Sequence, residues 1–80
     1  MLFSKNLRHS GHTRRFAISR TADAGWDVRA EEDAHVLTDA HYQDWHRVER
    51  ARLVFESTIL ALEREGWTAA DSASEPGASR

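Results

Sequence analysis

The segment from Asp44 to Glu65, DWHRVERARLVFESTILALERE, constrains the fold more than any other, because it carries two apolar stripes rather than one. At about 100° per residue, Val48, Ala51, Phe55, Thr58, Ile59 and Leu62 share one broad face of a helix, while Trp45, Leu53 and Leu60 fall well away from it. A surface helix needs one stripe to cover a small sheet. The second stripe calls for a different occupant, and the simplest is a protein partner.

The ends of this helix are marked. Asp44 suits the N-cap, where a short carboxylate accepts from free backbone N–H groups at the positive end of the helix; Thr38-Asp39 is a rival start. Gly66 suits the left-handed C′ position, and Trp67 at C″ can then fold back near Leu62. Glu49 with Arg52, and Arg52 with Glu56, are spaced for ion pairs worth roughly 0.2–0.5 kcal/mol each.

Upstream, the period changes to two. In residues 15–21 Phe16 and Ile18 alternate with Ala17 and Ser19; after turn chemistry in Ala22 to Gly25, Trp26, Val28 and Ala30 alternate with Asp27, Arg29 and Glu31. Glu31-Glu32-Asp33 is polar enough for a second turn. A third strand over Ala34 to Ala40 follows, its register ambiguous because Val36 and Leu37 are adjacent. The predicted fold is α+β: a three-stranded antiparallel meander packed on one C-terminal helix. Phe16, Ile18, Trp26, Val28 and one of Val36 or Leu37 should face Val48, Phe55, Ile59 and Leu62, with Asp27, Arg29 and Glu31 on a wet outer face. Residues 1–13 lack a period and read as a flexible basic arm, 14–67 as a single β-β-β-α domain, and 68–80 as a disordered tail of small and polar residues.

Eighty residues make one domain at most, and a core this small is marginal alone. Without cysteine, neither a disulfide nor a thiolate metal site can staple it. MLFSKNLRHSGHTRRF has no apolar run of the kind a secretory signal carries, and no stretch approaches the roughly 18 apolar residues of a membrane span. The expectation is a cytoplasmic protein. Ten of the eleven basic residues are Arg, the bias of a GC-rich bacterial genome.

The chain offers little chemistry. His9 and His12 sit in a polar stretch with no Glu-x-x-His helix, and His41 and His46 are five apart, off a common helical face. A carboxylate beside either of the latter would let it titrate near neutral pH. Glu31-Glu32-Asp33 lacks calcium-loop spacing, and Ser57 has no histidine partner. The chain therefore reads as a non-enzyme, with no cofactor and no metal.

The net charge of −2 conceals a block structure. Residues 1–20 carry five basic side chains and no acid, whereas residues 21–44 carry seven acids and only Arg29. Two functions follow. The leading one is a non-catalytic interaction module, a homodimer or a subunit of a complex, with Trp45, Leu53 and Leu60 as the interface. The alternative is a nucleic-acid-binding accessory protein whose Arg14, Arg15, Arg20, Arg47 and Arg50 form a basic surface, since guanidinium forks suit phosphate. The acidic block opposes the second.

The run GWDVRAEEDAHVLTDAHYQDWHRVERARLVF…LEREGW, residues 25–67, resembles short bacterial proteins of β-β-β-α layout to which no activity is assigned. The layout, strands followed by a helix ending in Gly-aromatic, also resembles WGR domains, which implies nucleic-acid engagement. The Trp-Gly-Arg motif itself is absent, Gly25-Trp26-Asp27 standing in its place.

Overall fold

The computed structural model describes residues 2–70. Strands β1 (Phe3–His9), β2 (His12–Arg20), β3 (Trp26–Glu32) and β4 (His35–Tyr42) are followed by helix α1 (Trp45–Arg64) and a short strand β5 (Thr68–Ala69). The strands form one antiparallel sheet in the order β4-β3-β2-β1-β5. The α+β class holds, but the sheet has five strands rather than three.

Both added strands come from stretches read as irregular. Residues 3–9 pair along their length with β2, so they are not a loose arm. Ser10 and Gly11 both have positive φ (51° and 81°), the backbone of a two-residue type I′ turn, whose twist suits a hairpin. The alternation in β1 is weak because its inward positions mix apolar Phe3 and Leu7 with polar side chains. Lys5 and His9 share its inward parity, while Ser4, Asn6 and Arg8 face the other side. Thr68 and Ala69, read as tail, pair with Arg8 and Leu7. The rest of that tail, residues 71–80, lies outside the described residues.

The second hairpin corrects the other turn. Glu31 and Glu32 lie in β3, and the turn is Asp33-Ala34 alone, with φ of 52° and 70°. A register shift follows, since Ala30 pairs with Thr38 but Glu31 with Val36, so Leu37 is the extra residue of a β-bulge. Neither Val36 nor Leu37 is buried. On this edge strand the bulge breaks the in/out alternation that would have sent one of them beneath the helix.

Helix α1 crosses the face formed by β2, β3 and β4. The buried core is Leu7, Phe16, Ile18, Val28, Ala30, Val48, Phe55, Ile59 and Leu62. Phe55 is its centre, with ring centroids 5.1 Å from Phe16, edge-on, and 6.2 Å from Phe3. The caps are as the sequence marks them: Asp44 Oδ1 accepts from His46 N at 3.0 Å. At the far end Trp67 N donates to Leu62 O (3.0 Å) and Gly66 N to Glu63 O (3.2 Å), the paired bonds of a Schellman motif. Trp67 then lies against the core with its ring 5.6 Å from His9.

The charge blocks resolve into cross-strand register. Arg14 stands opposite Glu32, Arg15 opposite Glu31, and Arg29 opposite Asp39. Of these pairs only Arg14 and Glu32 come within ion-pair distance, at 3.9 Å, so the charge blocks are expressed chiefly as strand register.

Candidate protein interface

The outward side of α1 carries two exposed leucines among polar neighbours. Leu53 is 63 %, Leu60 57 % and Val54 57 % exposed. Leu53 and Leu60 are one heptad apart and so form a line along the helix, while Val54 lies about 100–120° round from them, on the flank facing β4. Val54 belongs to neither stripe in the sequence. Its signal was its place on the shoulder beside Ala51 and Thr58, which becomes a surface only because the sheet stops at β4. Phe3 does not cover the line: it packs on Phe55, on the sheet side of the helix, with the Arg52 guanidinium 5.9 Å from its ring.

Trp45 is placed differently from the two leucines. It lies about 60–80° round the helix from them, and its ring centroid is 5.3 Å from that of Trp26. It closes the end of the sheet within the chain and remains 41 % exposed. Between α1 and β4 runs an open groove of ≈410 Å³, floored by Val28 and Phe55 and walled by Val54, Thr38 and Tyr42, with Arg47 and Arg50 at its rim.

The five arginines of the candidate basic surface do not converge. Arg14 shares the inward parity of Phe16, lies over that ring at 5.5 Å, and approaches Glu32 at 3.9 Å. Arg20 shares this parity but stands at the far end of β2, opposite Trp26. Arg15 is on the opposite face of the sheet, beside Arg29 and Glu31. Arg47 and Arg50 line the helix groove. Strand alternation separates Arg14 from Arg15, and the sheet separates Arg15 from the helix pair.

Two histidines act as hairpin clamps. His41 Nδ1 lies 2.8 Å from Asp27 Oδ1 and its Nε2 lies 3.1 Å from Asp23 Oδ2. The Asp27 hydrogen bond, with the Asp23 carboxylate beyond, raises the imidazole pKa above its ordinary value. Asp23 is held below the usual carboxylate range, first by the Thr21 hydroxyl that donates to it and then by His41. Gly25 permits the arrangement, since a Cβ there would stand 2.8 Å from the His41 ring and 2.9 Å from Tyr42 O. The partners are thus Asp23 and Asp27, whereas Asp44 serves the helix cap. At the opposite end His12 Nδ1 meets Asp33 Oδ2 at 2.7 Å, and Thr13 N donates to Asp33 Oδ1 at 2.9 Å, raising His12 and lowering Asp33. Among the described residues no three His, Asp or Glu side chains converge as metal ligands, and no helix is long and apolar enough to cross a membrane.

Comparison with known proteins yields no matching family model. Neither curated proteins nor solved structures give a match.

Proposed function

We propose that the chain is a non-catalytic interaction module that pairs with a second copy of itself through the outward face of α1. The observation that carries this reading is the uncovered line Leu53–Leu60 on the helix that also supplies four of the nine buried core residues. Fully burying such a side chain contributes about 1.5–3 kcal/mol. More than half of that remains available at each leucine, or roughly 4–7 kcal/mol for the four side chains of a symmetric pair. Association itself costs about 4–15 kcal/mol. A surplus survives only at the low end of that cost, so the pair is a weak and reversible one. Arg52 and Glu56, paired at 3.2 Å beside the line, offer alternating charges at its flank.

Sedimentation velocity over about 10 µM to 1 mM tests for such a pair. Mass should rise from monomer to dimer across the range, and Leu53→Glu with Leu60→Glu should abolish the rise while leaving the melting curve nearly unchanged, because both side chains are already in water. A wild-type monomer at the top of the range refutes self-association. Binding of duplex or single-stranded nucleic acid that falls steeply with salt would favour the alternative of a nucleic-acid accessory protein, a reading weakened by the dispersal of the five arginines.

A further inference from the structure

The face of the sheet opposite α1 carries a second feature, unrelated to the helix line. In the β1–β2 register Arg8 is opposite Thr13 and Asn6 is opposite Arg15. All four positions have outward parity, so they form a square with guanidinium groups at two opposite corners and hydrogen-bonding side chains at the other two. They border an open cavity of ≈350 Å³ whose far wall is Ala70, held there by its N–H donating to the Asn6 carbonyl at 2.8 Å. That volume is at the lower end of the range for small-molecule sites.

The charge in this cavity is unbalanced. Its two carboxylates are engaged elsewhere: Glu31 Oε2 receives Arg29 Nε at 2.7 Å, and Asp33 is held by His12 and by the Thr13 N–H. Among the described residues no carboxylate lies within ion-pair distance of Arg8 or Arg15. Asn6 Oδ1 is shielded from solvent yet has no hydrogen-bond partner, and a buried acceptor left unmade costs about 1–3 kcal/mol. An oxyanion between the two guanidinium groups would supply the missing charge, and a hydroxyl beside it would reach Asn6 Oδ1 once the side-chain amide turns over.

We propose that this cavity binds a small oxyanion bearing a neighbouring hydroxyl, such as a phosphate monoester or a hydroxy acid, with Arg8 and Arg15 holding the anion and Asn6 and Thr13 the hydroxyl side. A nucleic-acid strand fits less well, because the outward positions of β1, β2 and β3 (Ser4 to Arg8, Thr13 to Ser19, Asp27 to Glu31) hold no aromatic side chain on which bases could stack.

The test is a titration of the full chain, followed by backbone amide NMR at constant ionic strength, with glycerol 3-phosphate, glycerate, inorganic phosphate and acetate. Saturable shifts centred on Asn6, Arg8, Thr13 and Arg15 with either hydroxylated probe support the proposal, and which of the two saturates first identifies the source as phosphate or carboxylate. Arg8→Gln and Arg15→Gln should each weaken binding about tenfold, the scale of one charge-assisted hydrogen bond, without moving the melting curve in probe-free buffer. The proposal is overturned by any of four results: no saturation with any probe, binding unaltered by both Arg8→Gln and Arg15→Gln, shifts spread equally over Lys5, Arg20 and Arg47, or a preference for single-stranded nucleic acid over every small probe. Because neither variant touches α1, self-association stands or falls separately.

Discussion

Replacing Phe55 by alanine tests the helix-on-sheet packing most directly. The ring is 5 % exposed and meets Phe16 edge-on at 5.1 Å and Phe3 at 6.2 Å. Large-to-small changes at such a position cost about 3–5 kcal/mol, from lost transfer energy plus the cavity left behind. A domain of this size has in total roughly 3–10 kcal/mol of stability. Phe55→Ala should therefore remove half or more of it and leave a substantial unfolded population at room temperature. Leu53→Ala provides the control, since it lies two residues away on the same helix but points into solvent. Its cost should stay within about 0.5 kcal/mol, as for surface positions generally. Urea titrations followed by tryptophan fluorescence and far-ultraviolet circular dichroism would give both midpoints. Equal shifts for the two variants, or a Phe55→Ala midpoint matching wild type, would refute the assignment of which helix face is buried.

The His41 clamp should make stability depend on pH in a defined window. Its imidazole pKa is raised by Asp27 and Asp23, so its contribution is fully present below the ordinary histidine value of about 6.5 and is lost as pH rises through the raised one. Asp23, lowered by Thr21 and His41, contributes above the ordinary value of about 3.8 and loses that contribution as pH falls through the lowered one. The stability gap between wild type and His41→Gln should thus be largest between about pH 4 and 6.5 and shrink at alkaline pH; a gap independent of pH in thermal melts would show that the clamp does not hold a charged imidazole. In the Asp33-Ala34 turn, Ala34 has φ of 70°, a left-handed conformation costing a Cβ-bearing residue about 1–2 kcal/mol. Ala34→Gly relieves that cost but frees the unfolded chain by about 0.4–1 kcal/mol, so a net stabilisation of roughly 0.5 kcal/mol is expected; a lower melting temperature for Ala34→Gly would contradict the turn assignment.

The local readings that succeeded rest on interactions within one stretch of chain. Helix α1 follows from its own apolar period, with Asp44 and Gly66 placed where backbone groups lack partners. Strands β2 and β3 follow from a clean alternation about Phe16, Ile18, Trp26 and Val28. Strand β1 was not legible because its inward positions include Lys5 and His9, and a strand lying largely beyond the helix can keep polar residues facing inward. Its hairpin required recognising Ser10-Gly11 as a turn, and β5 exists only because the Schellman motif redirects the chain past Trp67 onto the edge of β1.

The candidate sites divide in the same way. Sequence alone determined that Leu53 and Leu60 align on the helix face opposite Phe55, because helical geometry is set residue by residue. It also determined that the arginines outnumber their local counter-charges near the N-terminus. Only the tertiary structure decided that Trp45 closes onto Trp26, that Val54 stands exposed beside a groove, and that Arg14 and Arg15 part to opposite faces. The square of Asn6, Arg8, Thr13 and Arg15 likewise needed the β1–β2 register, since side chains from separate strands become neighbours only when cross-strand pairing brings them together. Helix faces are encoded by spacing along the chain, whereas clusters across a sheet are encoded by register, and at Leu37 a single bulge residue changed which side chains could meet the core.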